Sequence, residues 1–90
     1  MTLIGNKFIS NKVDNNEDVN IQIIKAAGYS VKDMFDFINF SDEYKNYWIN
    51  NVGNIPNAQD LYDISYSIYD LKIGYFTISQ VWELTPKPTL

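Results

Sequence analysis

The side chains able to do chemistry in this sequence are carboxylates, tyrosines, serines and lysines, because the chain contains no Cys, no His and no Arg. The absence of Cys excludes a disulfide framework, a thiolate nucleophile and a zinc–cysteine cluster. The absence of His excludes the Ser-His-Asp and Cys-His relays and an imidazole base. What remains is carboxylate chemistry, or recognition without chemistry.

Carboxylates can hold a metal ion or form a catalytic pair. The segment 14–18 matches the first, third and fifth ligand positions of a calcium-binding loop. However, Val19 stands where the sharp bend needs Gly, and Lys25 stands where a bidentate Glu belongs. A glycosidase needs one protonated and one ionised carboxyl group across a cleft, and no pair of acids here is singled out for those roles. We therefore expect no metal site, no cofactor and no catalytic residue.

The charge balance bears on the partner. Seven Lys stand against eleven Asp and Glu, which gives a net charge of −4. An acidic chain with scattered lysines is repelled by a phosphate backbone, so we expect no direct contact with nucleic acid. The first residues lack a basic region followed by an apolar run, and no stretch reaches the ~18 apolar residues of a membrane span. We expect a cytoplasmic protein with no membrane contact.

The segment 58–72 is the most informative stretch, and we predict it as one helix opened by Asn57 and ended at Gly74. On a helical wheel its apolar core stripe consists of Leu61, Ile64, Ile68 and Leu71. A neighbouring acidic sector consists of Asp60, Asp63 and Asp70 with Ser67. A third sector, about 150° from the core stripe, consists of Tyr62, Tyr66 and Tyr69, continued by Ile73. One helix cannot bury all three sectors in a small core, so the tyrosines are either covered by another element or exposed beside the carboxylates.

The remaining elements are predicted from periodicity and helix caps. Alternation of period two predicts two strands in the first third of the chain, joined by a turn at 14–18. It also predicts a third strand over 75–84, whose core face consists of Phe76, Ile78, Trp82 and Leu84. A helix over 18–27, capped by Asp18 and stopped by Gly28, is the alternative for the second strand.

Two further helices are predicted in the middle of the chain. Ser30 caps the first, and Ser41 caps the second, which carries Trp48 and stops at Gly53. We find no internal repeat. These elements predict an α+β fold, a small antiparallel sheet of about three strands with helices packed on one face, in the order β-β-α-α-α-β. A single domain is expected over 1–84, followed by an extended, proline-containing tail over 85–90.

The acidic, tyrosine-rich helix Asp60–Lys72, turning through Ile73-Gly74 into Tyr75-Phe76-Thr77-Ile78, resembles the small stoichiometric inhibitors of phages and mobile elements. Anti-CRISPR proteins and bacteriocin immunity proteins are the groups concerned. The resemblance implies that the chain occupies a basic catalytic or nucleic-acid-binding surface of another protein and does no chemistry. Those groups share no common motif, so no functional residue is carried over from them.

The leading hypothesis is therefore a non-enzymatic inhibitor that blocks a basic protein, such as a nuclease or another nucleic-acid-binding effector. A toxin or bacteriocin immunity protein is one alternative, and a self-assembling protein with an aromatic homodimer interface is another. A small carboxylate enzyme is the least favoured. The candidate partner-binding residues are Asp60, Tyr62, Asp63, Tyr66, Tyr69, Asp70 and Trp48.

Overall fold

The computed structural model describes residues 8–85, and all regular structure within that range is helical. The helices are α1 (Phe8–Asp14), α2 (Ile21–Ala26), α3 (Val31–Ile38), α4 (Asp42–Asn51), α5 (Ala58–Asp63), α6 (Ile68–Ile73) and α7 (Ile78–Trp82). The predicted α+β fold with a three-stranded sheet is therefore wrong for the described residues. The first residues of the first predicted strand, up to residue 7, and the tail from residue 86 lie outside them.

The three segments predicted as strands contain α1, α2 and α7. The alternative helix over 18–27 is closer to the structure, although Asn20 and not Asp18 is the N-cap of α2, accepting a bond from the Ile23 N–H at 2.9 Å. Gly28 follows α2 with a φ of +96°. These helices have five to seven residues, so each spans at most two turns and displays little of the 3.6-residue period that distinguishes a helix from a strand.

The two middle helices are confirmed. Ser30 caps α3 in a reciprocal arrangement, because its hydroxyl accepts from the Asp33 N–H at 3.1 Å while the Asp33 carboxylate accepts from the Ser30 N–H at 2.9 Å. Ser41 caps α4, which ends just before Gly53 at a φ of +141°. In both helices the cap satisfies backbone donors that the first turn leaves without a partner.

The continuous helix predicted over 58–72 is wrong, because the chain breaks between α5 and α6. Ile64 ends α5, Ser65 takes a φ of +80°, and Ser67 caps a new helix. The N–H of Tyr66 donates back to the Leu61 carbonyl at 3.1 Å, which closes the end of α5. The three sectors drawn on one wheel therefore belong to two separate helices.

The break is one instance of a ten-residue unit that recurs along the chain. The N-caps of α5, α6 and α7 are Asn57, Ser67 and Thr77, and each forms a reciprocal capping box with the third residue of its helix. The residues that follow the box, one per helix, are almost fully buried. They are Leu61, Leu71 and Val81. The conclusion that the sequence has no internal repeat is therefore wrong.

The end of each unit repeats as well. Ser65 and Tyr75, ten residues apart, both have positive φ. The next residue in each unit is aromatic, and the N–H of Phe76 donates to the Leu71 carbonyl at 3.1 Å, as that of Tyr66 does to Leu61. The segment 20–29 follows the same scheme, from the Asn20 cap through Gly28 to an aromatic residue at position 29.

The core lies between α3 and its neighbours. Helix α3 packs against α4 and α6, and α6 also packs against α5 and α7. Gly74 makes the α3–α6 approach possible, since a Cβ there would lie 2.2 Å from the Cγ1 of the buried Val31. The largest fully buried side chains of the described part are Trp48, Ile9, Ile24, Met34, Ile38, Leu61, Leu71 and Val31.

Candidate functional site

Two of the predicted partner-binding residues are core residues. Trp48 is completely buried and packs against Phe37, with ring centroids 6.0 Å apart. Tyr66 is 6% exposed, and its hydroxyl donates to the Tyr29 carbonyl at 2.5 Å. This bond joins the aromatic ends of two repeat units. Neither side chain offers a contact area to a partner in this conformation.

The burial of Tyr66 has an electrostatic consequence. Desolvation, followed by the carboxylates of Asp70 and Asp33, raises the pKa of Tyr66 to about 12. All three effects disfavour the phenolate. Tyr66 therefore keeps its proton, and with it the bond to the Tyr29 carbonyl, to a higher pH than an exposed tyrosine does.

The other two tyrosines of the predicted row lie in different environments. Tyr62 is partly buried against the core, whereas Tyr69 is 71% exposed. The tyrosines therefore do not form one exposed stripe, because the break at Ser65 separates Tyr62 on α5 from Tyr69 on α6. Tyr69 is the member of the row that is open to contact.

The predicted acidic residues divide by their local role. Asp60 and Asp70 accept bonds from the backbone N–H groups of Asn57 and Ser67, both at 3.0 Å, within the capping boxes of α5 and α6. Asp63 lies at the exposed end of α5 and accepts from Gln59 Nε2 at 2.7 Å. Asp60 and Asp70 therefore contribute to local stability, whereas Asp63 bonds to the side chain of Gln59, one turn earlier on α5.

A polar cluster that the sequence analysis did not identify connects α3 to the turn after α6. The hydroxyl of Tyr75 donates to Asp36 Oδ1 at 2.5 Å, and Lys32 Nζ donates to Asp36 Oδ2 at 2.7 Å. These bonds, from Lys32 first and then Tyr75, lower the pKa of Asp36, and the bond to Asp36 raises the pKa of Tyr75. The cluster fixes the position of the Tyr75 ring, which is itself exposed.

Exposed large apolar side chains are concentrated in the last two repeat units. Five of the seven such residues in the described part lie between positions 69 and 82, and we call them the α6–α7 surface: Tyr69, Ile73, Tyr75, Ile78 and Trp82. Tyr69 and Ile73 are four residues apart on α6, so they lie on one face of that helix. The same spacing places Ile78 and Trp82 on one face of α7, and the two helices pack against each other.

The strand prediction had hidden this surface. It counted Ile78 and Trp82 as core residues of a sheet, but they are 52% and 47% exposed, so their assignment to the core is wrong. The signal that could have revealed them is the ten-residue spacing of the caps Ser67 and Thr77. That spacing identifies Thr77 as a helix N-cap, so Ile78 is the first residue of a helix and not part of a strand.

The segment of the chain that carries the α6–α7 surface is mostly acidic, and the ammonium of Lys32 on α3 lies 5.9 Å from the centre of the Tyr75 ring. Between residues 57 and 85 there is one lysine, Lys72, and the acids are Asp60, Asp63, Asp70 and Glu83.

A shallow cleft of 240 Å³ lies near the α6–α7 surface, and its lining residues are Asn57, Ala58, Gln59, Gln80, Glu83 and Leu84. Its wall is fixed by Gln59, whose amide both donates to and accepts from the Thr85 backbone at 2.9 Å.

This cleft offers little to a small substrate. It is smaller than the roughly 300–1,000 Å³ that is usual for ligand pockets, and Glu83 is the one titratable group that lines it. Among residues 8–85, no group of three or more acidic, histidine or cysteine side chains is arranged to hold a metal ion.

Comparison with family models, with curated proteins and with solved structures gives no match to this chain. Within the described range, the helices are too short or too polar to cross a lipid bilayer.

Proposed function

We propose that this chain is a non-enzymatic binding protein that uses the α6–α7 surface to block a basic surface of a protein partner, such as a nuclease or another nucleic-acid-binding effector. The observation that carries the proposal is the concentration of five exposed large apolar side chains on two adjacent short helices and the turn between them. Single exposed apolar residues are ordinary on a protein surface, whereas a concentration of them marks an interaction site.

The size and composition of the surface support this reading. Summed over the five residues, the exposed area is on the order of 500 Å², which is comparable with the area of the largest apolar patch on a typical monomer. A standard interface buries about 800 Å² on each partner, so this patch would form its apolar centre. Tyr and Trp are enriched among residues that dominate binding energy, and the surface contains Tyr69, Tyr75 and Trp82.

The charge of the region argues for a basic partner. Asp63 and Glu83 are exposed carboxylates at the ends of α5 and α7, and Lys72 is the one cation in this part of the sequence. Complementary charge accelerates association and disfavours acidic competitors. Blocking a basic surface is also what the resemblance to phage inhibitors and to immunity proteins implies.

The proposal is tested by capturing a partner from the cells that carry the gene. Tagged wild type is compared with the double variant Tyr69→Ser, Ile73→Ser, and with Ile49→Ser as a matched control, because Ile49 is 44% exposed on α4 and lies outside the surface. We expect wild type and Ile49→Ser to retain the same protein and the double variant to lose it. Circular dichroism verifies that all three are folded.

The captured protein is then purified and its binding measured alone. The proposal predicts a basic partner whose association rate falls as salt rises from about 0.05 M to about 0.5 M. Undiminished binding by the double variant would refute the proposed surface. An association rate independent of salt, or an acidic partner, would refute the charge argument.

A further inference from the structure

The first residue of each helix, which directly follows the N-cap, differs in burial from one helix to the next, and the difference identifies an apolar position that no other helix of the described residues covers. Among the six helices whose N-cap is described, five carry an aliphatic residue at this position: Ile21, Val31, Ala58, Ile68 and Ile78. Val31 and Ala58 are buried, and Ile21 and Ile68 are partly buried against the core. Ile78 is more than half exposed. The position is therefore built to be covered, and on α7 it is not.

Trp82 extends the uncovered position into a face. It lies four residues after Ile78, one turn further along the same side of α7, and is nearly half exposed. In proteins made of stacked repeats, each unit buries its apolar face against its neighbour, and a terminal unit that faces solvent carries polar residues there. Helix α7 is the last helix of the described residues, and its exposed face carries two large apolar side chains, as the face of a unit with a neighbour does.

We propose, on the basis of the proposed function, that Ile78 and Trp82 receive an amphipathic helix of the basic partner, which packs on α7 much as α7 packs on α6. The apolar stripe of that helix would cover the two side chains. The carboxylates near α7 indicate which charge the residues beside that stripe would carry. Glu83 follows Trp82 directly, and Asp63 is bonded to Gln59, which also holds the Thr85 backbone beyond α7. Lysine or arginine beside the stripe would meet these carboxylates.

Charge argues against a second copy of this chain as the occupant. A two-fold dimer through α7 would bring the Glu83 residues of two molecules, each with a net charge of −4, toward the same interface. Like charges brought together oppose association, whereas a basic helix gains from the same groups.

The test uses a synthetic peptide of about 16 residues with Leu at helical spacing and Lys elsewhere. The controls are an analogue with Glu in place of Lys and a scrambled Leu–Lys peptide of equal composition. Binding is followed by acrylamide quenching of tryptophan fluorescence, which reports Trp82 because Trp48 is fully buried. We expect the basic helical peptide to protect Trp82, the acidic analogue to leave it quenchable, and the scrambled peptide to bind more weakly.

Two matched variants locate the binding face. About half of the Ile78 side chain is available to the peptide, so Ile78→Ser should lower the affinity for the basic peptide roughly fivefold. Ile49→Ser, at a similar exposure on α4, should leave the affinity unchanged. Both residues are exposed, so both variants should fold, which thermal unfolding verifies.

The outcomes separate this inference from the proposed function. Absence of Trp82 protection, equal protection by the acidic peptide, or an equal loss in Ile49→Ser overturns the inference. Protection that rises with protein concentration without peptide, together with a dimer in sedimentation equilibrium, assigns the face to a second copy and also overturns it. In each case, the proposed function survives if the captured partner still depends on Tyr69 and Ile73 and on salt.

Discussion

Gly74→Ala tests the packing on which the whole fold depends, the approach of α6 to α3. Gly74 is the C-cap of α6 at a φ of −82°, a conformation that alanine adopts without strain. The added methyl carbon would lie 2.2 Å from Val31 Cγ1 and 2.8 Å from Val31 Cβ. Because ordinary contacts between carbon atoms are about 3.5–4.0 Å, the helices must separate by more than about 1 Å or Val31 must be displaced.

Val31 has little freedom to accommodate the methyl group. It is fully buried, and its β-branched side chain has one preferred rotamer in a helix. Overpacking a core usually lowers the free energy of unfolding by about 1–3 kcal/mol. Because the distances to Val31 are short, we expect Gly74→Ala to lower it by about 3 kcal/mol. For a domain of this size, the corresponding fall in Tm is roughly 10–20 °C.

The assay is urea unfolding followed by the fluorescence of the buried Trp48, with Gly28→Ala as the control. Gly28 has a φ of +96° and no neighbour within 4 Å of an added Cβ, so the control should lose only about 1 kcal/mol, through backbone strain. The double variant Val31→Ala, Gly74→Ala should be more stable than the sum of its single changes predicts. A Gly74→Ala protein as stable as wild type would refute the α3–α6 contact.

Three further predictions concern the acids and the buried tyrosine. Asp70→Ala should cost about 1–2 kcal/mol of unfolding free energy in urea, because it removes a capping box, whereas Asp63→Ala should cost under about 0.5 kcal/mol; equal losses would contradict the assigned roles. Between pH 10 and about 12 the unfolded chain loses the Tyr66 proton and the folded chain keeps it, so stability should fall as pH rises through this window. Tyr66→Phe should reduce that fall in pH-dependent unfolding, and an unchanged slope would contradict the raised pKa. Asp63→Lys with Glu83→Lys should slow association with the captured partner several-fold at low salt in stopped-flow measurements, and an unchanged rate would contradict electrostatic steering.

The sequence predicted individual helices correctly, although not the fold class, where a cap preceded a helix long enough to show its period. Ser30 and Ser41 met that condition and identified α3 and α4 correctly. Asn57 was also recognised as a cap, but the end of its helix was missed, because the break falls at Ser65, a residue that rarely takes a positive φ. Glycine at that position would have marked the break, as Gly28 did for the alternative helix over 18–27.

The site was missed for a related reason. Phe76, Ile78, Trp82 and Leu84 alternate as in a strand, yet Phe76 and Leu84 flank α7 and pack inward while the other two lie on its exposed face. A five-residue helix is too short for local pattern to outweigh such an alternation. The ten-residue spacing of the caps indicates that residues 78–82 are helical. This spacing is visible only when segments ten residues apart are compared.

If the α6–α7 surface binds the partner, its side chains are exposed in the free protein and covered in the complex. Incorporating 5-fluorotryptophan into this chain alone gives one ¹⁹F resonance for the buried Trp48 and one for the exposed Trp82, distinguished by the solvent-isotope shift of Trp82. Adding the captured partner should move the Trp82 resonance and remove its isotope shift, while the Trp48 resonance stays in place. A Trp82 resonance that keeps its solvent-isotope shift in the saturated complex would contradict binding through the α6–α7 surface.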